Sequence, residues 1–119
     1  MAWEVEFTEQ FEDWWIELAE PQRIRITSAV NLLIGHGPTL SFPHSSGVNG
    51  SRHARMRELR VQSGGSPLRI FYAFDPRRSS ILLIGGDKTG KDRFYEQYVP
   101  LADDLYDAYL DELRAEGLI

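Results

Sequence analysis

The sequence contains no cysteine, which excludes a disulfide framework, thiolate metal sites and a cysteine nucleophile together. Histidine is nearly as scarce. His36, His44 and His53 are the three it has, without metal-ligand spacing, so no metal site is expected. No apolar run approaches the ~18 residues of a membrane-spanning helix, and no basic-then-apolar leader opens the chain. These absences set the expectation of a soluble cytoplasmic protein with no membrane partner and no cofactor. The 119 residues are 42% hydrophobic and include three Trp, enough for one domain over residues 1–119 with its own core.

What is present is an uneven charge. The chain carries a net −5, yet ten of its thirteen Lys and Arg lie between Arg52 and Arg93, a stretch with only four acids. Residues 1–51 hold two basic and seven acidic groups, and residues 94–119 hold one and seven. A basic middle between acidic ends suggests a local site for a polyanion. The alternative is that the acidic helices fold back and neutralise it.

Periodicity divides the chain into elements. Trp3–Phe7 alternates as a short strand. Thr8 is an N-cap, and Phe11, Trp14, Trp15 and Leu18 follow at helical spacing as a core-facing stripe. Pro21 opens a second helix through Ile24, Ile26, Val30, Leu33 and Ile34, which Gly35 is expected to end. Gly35–Ser51 has four Gly and two Pro without periodicity and reads as a long loop. Period two returns in Met56–Val61, Leu68–Phe74 and Ser80–Ile84, separated by turns at Gln62–Ser66 and Asp75–Arg78. After the loop Asp87–Arg93 and a segment Phe94–Tyr98, a last helix is expected from about Leu101 to Arg114. The order is β-α-α-β-β-β-α, an α+β chain.

Gly85–Asp92 (GGDKTGKD) nearly spells a phosphate-binding loop, but Asp92 stands where a hydroxyl would ligate magnesium. The parallel strand–helix context that the motif needs is also missing. The strands offer a better platform. Arg57 and Arg60 point to opposite faces of one strand, and Arg69 sits between Leu68 and Ile70 in the next, a guanidinium on rigid backbone. Its competing reading is a salt bridge to Glu58 across the sheet. Cations and tyrosines without metal ligands suit RNA backbone cleavage, in which the 2′-hydroxyl attacks its own phosphate. Arg69 and Lys88 would stabilise charge, and Tyr95 would hold or donate a proton. Tyr72 and Phe94 are candidates to stack on bases. Packing of the last helix is the competing reading for Tyr95 and Tyr98.

The run MRELRV, SPLRIFYAFDPRRSSILLIGGDKTGKDRFYEQYVPLADDLYDAYL resembles the RelE/ParE superfamily of bacterial toxins, most of all its HigB and phage Gp49-like branch. The resemblance implies a RelE-like fold, a twisted antiparallel sheet packed against a helical hairpin and a C-terminal helix. It implies the toxin of a type II toxin–antitoxin pair, a metal-independent endoribonuclease that cuts mRNA in the ribosome. Carried over by position, the catalytic set is Arg69, Lys88 and Tyr95, with Phe94 competing for the place of Tyr95. Arg55, Arg57, Arg60, Tyr72, Lys91 and Arg93 are the RNA-binding set. The implied partners are a helix-turn-helix antitoxin, the ribosome and mRNA. Glu58 departs from the family, standing where some members have lysine, and the net charge is low for a ribosome binder. A ParE-like gyrase poison and an inactive antitoxin-binding module stay open as alternatives.

Overall fold

The structure is a computed structural model that describes residues 2–119. Five strands form one sheet in the order β1-β5-β4-β3-β2: β1 is Val5–Phe7, β2 Ser45–Gly47, β3 Arg57–Ser63, β4 Ser66–Phe74 and β5 Ser80–Asp87. Two helices, α1 (Glu9–Ile16) and α2 (Glu20–His36), cover one face. The long α3 (Phe94–Ala115) covers the other. The α+β class and the helical hairpin agree with the sequence reading.

Side-chain alternation in β4 builds both cores. Leu68, Ile70 and Tyr72 point to the hairpin, where they join Phe11, Ile26, Ala29, Leu33 and Leu59. Phe71 and Ala73 point the other way, to Ile81, Leu83, Phe94, Val99, Ala102 and Tyr106. Burial on both faces makes β4 and β5 central strands. Gly64 and Gly65, at φ 55° and 84°, close the β3–β4 hairpin as a two-residue turn that favours glycine at both places.

Gly85 and Gly86 serve a different purpose. A Cβ at Gly85 would lie 2.2 Å from the Trp14 ring, and one at Gly86 would lie 2.7 Å from the Tyr98 ring. Bare backbone therefore lets an aromatic ring from α1 and another from α3 press on opposite faces of β5.

Four features differ from the sequence reading. The sheet is mixed, because β1 runs parallel to β5 as its edge. The expected loop Gly35–Ser51 contains the end of α2, a 3-10 turn at Gly37–Thr39, and β2. β2 is Ser-Ser-Gly, a strand made by pairing with β3 and not by any side-chain pattern. Finally, α3 begins at Phe94 and passes through Pro100. The proline lacks the N–H that would bond back to Glu96, a loss tolerated where both residues are exposed to water.

Thr8 joins the sheet to the first helix. Its hydroxyl accepts from the Phe11 N–H at 3.0 Å and donates to the Leu83 carbonyl at 2.7 Å. Thr8→Ala removes both bonds and is expected to cost about 1–2 kcal/mol, read by urea denaturation. An unchanged midpoint would show that water replaces the cap at no cost.

Candidate nucleic-acid active site

The α3 face of the sheet becomes polar toward the end where β4 begins. Arg60 on β3 stands directly opposite Arg69 on β4, and Glu58 lies two residues along on the same face. Two guanidinium groups so close repel, and the Glu58 carboxylate between them offsets the repulsion. Arg69 Nε lies 3.6 Å and Arg60 Nη1 3.5 Å from its oxygens. Ser46 of β2 donates to Glu58 at 2.9 Å, and Tyr95 in the first turn of α3 donates to it at 2.7 Å. Lys88, just past β5, places its ammonium 5.1 Å from the Tyr95 ring centroid, a cation–π contact. The Lys88 N–H donates to the Pro67 carbonyl at 2.9 Å and ties that corner to the start of β4.

Arg69 is only 6% exposed. One nitrogen donates to the Leu68 carbonyl at 3.0 Å, but Nε has no hydrogen-bond partner among the described residues. At 3.6 Å from Glu58 it makes an ion pair without a hydrogen bond. A buried guanidinium nitrogen left so is costly, and in a native fold it calls for an explanation. Tyr95 is shifted too. Burial, helped by the bond to Glu58, pushes its hydroxyl above the ordinary tyrosine value despite the nearby Arg69. Tyr95 therefore stays a neutral proton donor.

Arg69, Lys88, Tyr95 and Arg60 thus converge. Arg69 meets both readings offered by the sequence, since it is paired with Glu58 and also lies beside Tyr95 and Lys88. The rest of the expected RNA-binding set is dispersed. Tyr72 has no exposed surface; it lies in the hairpin core with its hydroxyl 2.7 Å from Ser45 Oγ, so no base reaches it. Phe94 is buried as well, against Phe71 and Tyr98. Arg57 points to the opposite face and holds Ser45 Oγ at 3.1 Å and the Leu40 carbonyl at 3.3 Å, a tie for the α2–β2 connection. Arg55 is exposed on the loop before β3, beyond the other end of that strand. Lys91 and Arg93 are exposed on the β5–α3 loop, where Arg93 lies 3.9 Å from Glu96.

The near-match to a phosphate loop at Gly85–Asp92 has a local account. Gly85 and Gly86 belong to β5, and the Asp87 carboxylate accepts from the Thr89 N–H and hydroxyl at 2.9 and 2.6 Å. Those bonds hold the Asp87 carboxyl below its ordinary value.

Two members of the site escaped the sequence reading. Ser46 sits in a strand with no pattern of its own. Phe42, 70% exposed, lies in the loop before β2 with the Arg60 guanidinium 5.1 Å from its ring centroid. An exposed aromatic in the loop was the available signal for Phe42.

A family model described as phage derived protein Gp49-like matches residues 13–107, well over half of the chain. The chain belongs to the phage Gp49-like family. A relative named "Putative toxin HigB3", from Mycobacterium tuberculosis, is 41% identical over 109 residues, covering 91% of the present chain and 94% of that protein. "Putative toxin HigB2" from the same organism is 37% identical over 91 residues, covering 75% of this chain and 45% of that longer protein. Among solved structures, a mutant of E. coli toxin RelE in the free state overlays with a TM-score of 0.57 at 14% identity, covering 82% of this chain and 96% of RelE. The archaeal RelE-RelB complex from Pyrococcus horikoshii gives 0.56 at 13% identity, covering 76% and 99%. At those identities the solved structures bear on the fold, and this Gp49-like chain has it. Among the described residues, no helix is long and apolar enough to cross a membrane.

Proposed function

We propose that this Gp49-like protein is the toxin of a type II toxin–antitoxin pair and acts in the cytoplasm as an endoribonuclease on ribosome-bound mRNA. The observation that carries this is the buried Arg69 guanidinium, its Nε unbonded, beside a tyrosine kept protonated and a lysine on that tyrosine's ring. In the reaction, the 2′-oxygen attacks phosphorus, a 2′,3′-cyclic phosphate forms, and the bond to the 5′-oxygen breaks. No metal enters this scheme. Arg69 and Lys88 offset the charge that builds on the phosphoryl oxygens. The Tyr95 hydroxyl turns from Glu58 to the scissile phosphate and gives its proton to the leaving 5′-oxygen. Glu58, released by that turn, accepts the 2′-proton. Phe42 and Arg60 together offer a face on which a neighbouring base stacks.

The antitoxin is expected to be a small helix-turn-helix protein encoded next to this chain. The test of the nuclease reading is induction in a bacterial host with primer extension on an abundant translated mRNA. In-frame cuts that require translation are expected. Growth arrest with intact mRNA would point instead to a gyrase poison, and no arrest to an antitoxin-binding module.

A further inference from the structure

A second cleft, of roughly 520 Å³, opens at the other end of the sheet from Arg69. It is lined by Trp3 and Phe74, by Arg55 and Arg57 at the entry to β3, and by Arg78 in the β4–β5 turn. Five strand steps separate Arg69 from Phe74 along β4, about 17 Å. The two sites are therefore distinct.

The arginines there have no carboxylate partner among the described residues. Most of the other guanidinium groups in the basic stretch are consumed internally: Arg52 by Asp104 and Asp107, Arg60 and Arg69 by Glu58, and Arg77 by Glu6 and Asp75. Among the described residues, no carboxylate lies within 4.0 Å of a nitrogen of Arg55, Arg57 or Arg78. The one acid in the lining, Asp75, is buried and engaged. Burial alone would raise its carboxyl, but bonds from Arg77, Tyr109 and the Ser79 N–H hold it below the ordinary value. Its charge is thus already answered, and the cleft presents three guanidinium groups that no carboxylate neutralises.

The wall between them is aromatic. Trp3 packs edge-on against Phe74 at 5.8 Å, and the Arg78 guanidinium lies 5.0 Å from the Trp3 ring centroid. Arg57 is fixed by Ser45 and Leu40, so its guanidinium is held in place before any ligand arrives. Arg78 adopts φ 69°, a left-handed conformation unusual for a non-glycine residue.

We infer that this cleft binds a nucleotide of single-stranded RNA, its phosphate on Arg55 and Arg57 and its base against Arg78 and the Trp3–Phe74 wall. A carboxylate from an acidic peptide would satisfy the cations and leave the aromatic wall unused. A nucleotide uses both. The inference rests on the preceding reading only in taking RNA as ligand; cleavage plays no part in it.

The test is equilibrium titration of a short fluorescein-labelled oligouridylate into Arg69→Lys protein, which keeps the counter-charge beside Glu58 and suppresses cleavage during the measurement. The comparison is the same protein carrying Arg55→Ala and Arg78→Gly. Arg55 is exposed and unpaired, and glycine at 78 accepts the left-handed backbone, so the fold is expected to survive; Arg55→Ala alone is the second variant. Affinity should fall at least ~10-fold in the double variant, and the slope of log K against log salt should flatten by about 0.7, one phosphate contact's worth, because Arg57 stays in place. Equal affinity and slope would overturn the inference, as would a polyglutamate peptide that displaces the RNA from the unmutated cleft at lower concentration than RNA itself. A loss of RNA binding would uphold the cleft even if primer extension shows no cleavage by the wild type.

Discussion

Arg69→Ala is expected to abolish the mRNA cuts, with a loss of at least ~100-fold, the scale for removing one group that stabilises transition-state charge. The same change strips Glu58 of its buried partner, and an uncompensated buried charge costs about 3–5 kcal/mol. The alanine variant therefore invites the objection that it has merely unfolded. Arg69→Lys answers it. Lysine keeps the charge beside Glu58 but loses the planar fork that can meet Glu58 and a phosphate together. It should hold a melting temperature near that of the wild type while the cuts still fall steeply. If Arg69→Lys cuts mRNA as well as the wild type, the guanidinium has no role in the chemistry and serves only as a counter-charge.

A methyl group at Gly85 should be nearly as disruptive, by a different route. The new Cβ would sit 2.2 Å from the Trp14 ring, and the atom that must yield is either central-strand backbone or a ring held between Phe11 and the sheet. Overpacking of this kind costs about 1–3 kcal/mol, which for a chain of this size lowers the melting temperature by about 5–15 °C. Gly47→Ala is the internal control. Gly47 is also in a strand, but nothing lies within 4 Å of its added Cβ, so its melting curve should barely move. Equal curves for the two variants would show that Trp14 is free to leave β5.

The parts of the fold legible in the sequence are those whose own side chains state their surroundings. The Phe11–Trp14–Trp15–Leu18 stripe and the alternation of β4 required no partner to be read. β2 was not legible, because Ser-Ser-Gly becomes a strand only when β3 supplies hydrogen bonds. The parallel placement of β1 was hidden for the same reason, since it depends on a strand about 75 residues later. In the candidate site, residue chemistry and the resemblance named Arg69, Lys88 and Tyr95 as candidates, and cross-strand pairing offered Glu58 as a partner for Arg69, but nothing in the sequence showed that Tyr95 would bond the same carboxylate. Tyr72 shows the limit most plainly. Alternation gave its face correctly, but only the packed hairpin shows that this face is closed to a base.

The pairing of β1 with β5 has a bearing on timing. The Thr8 hydroxyl reaches Leu83 across 75 positions of chain, and the Tyr109 hydroxyl reaches Glu6 across 103. Contacts so distant along the chain form late, because a long loop must close before they repay its entropy. The Tyr95–Glu58 bond waits on the same event, since α3 settles on β4 and β5 only once both have been made. On a ribosome the hairpin helices emerge first and the site last. A copy about two-thirds synthesised therefore carries Arg69 but no Tyr95 to place beside it. By that order of assembly, the candidate site is complete only once the first turn of α3 has been made and has docked on the sheet.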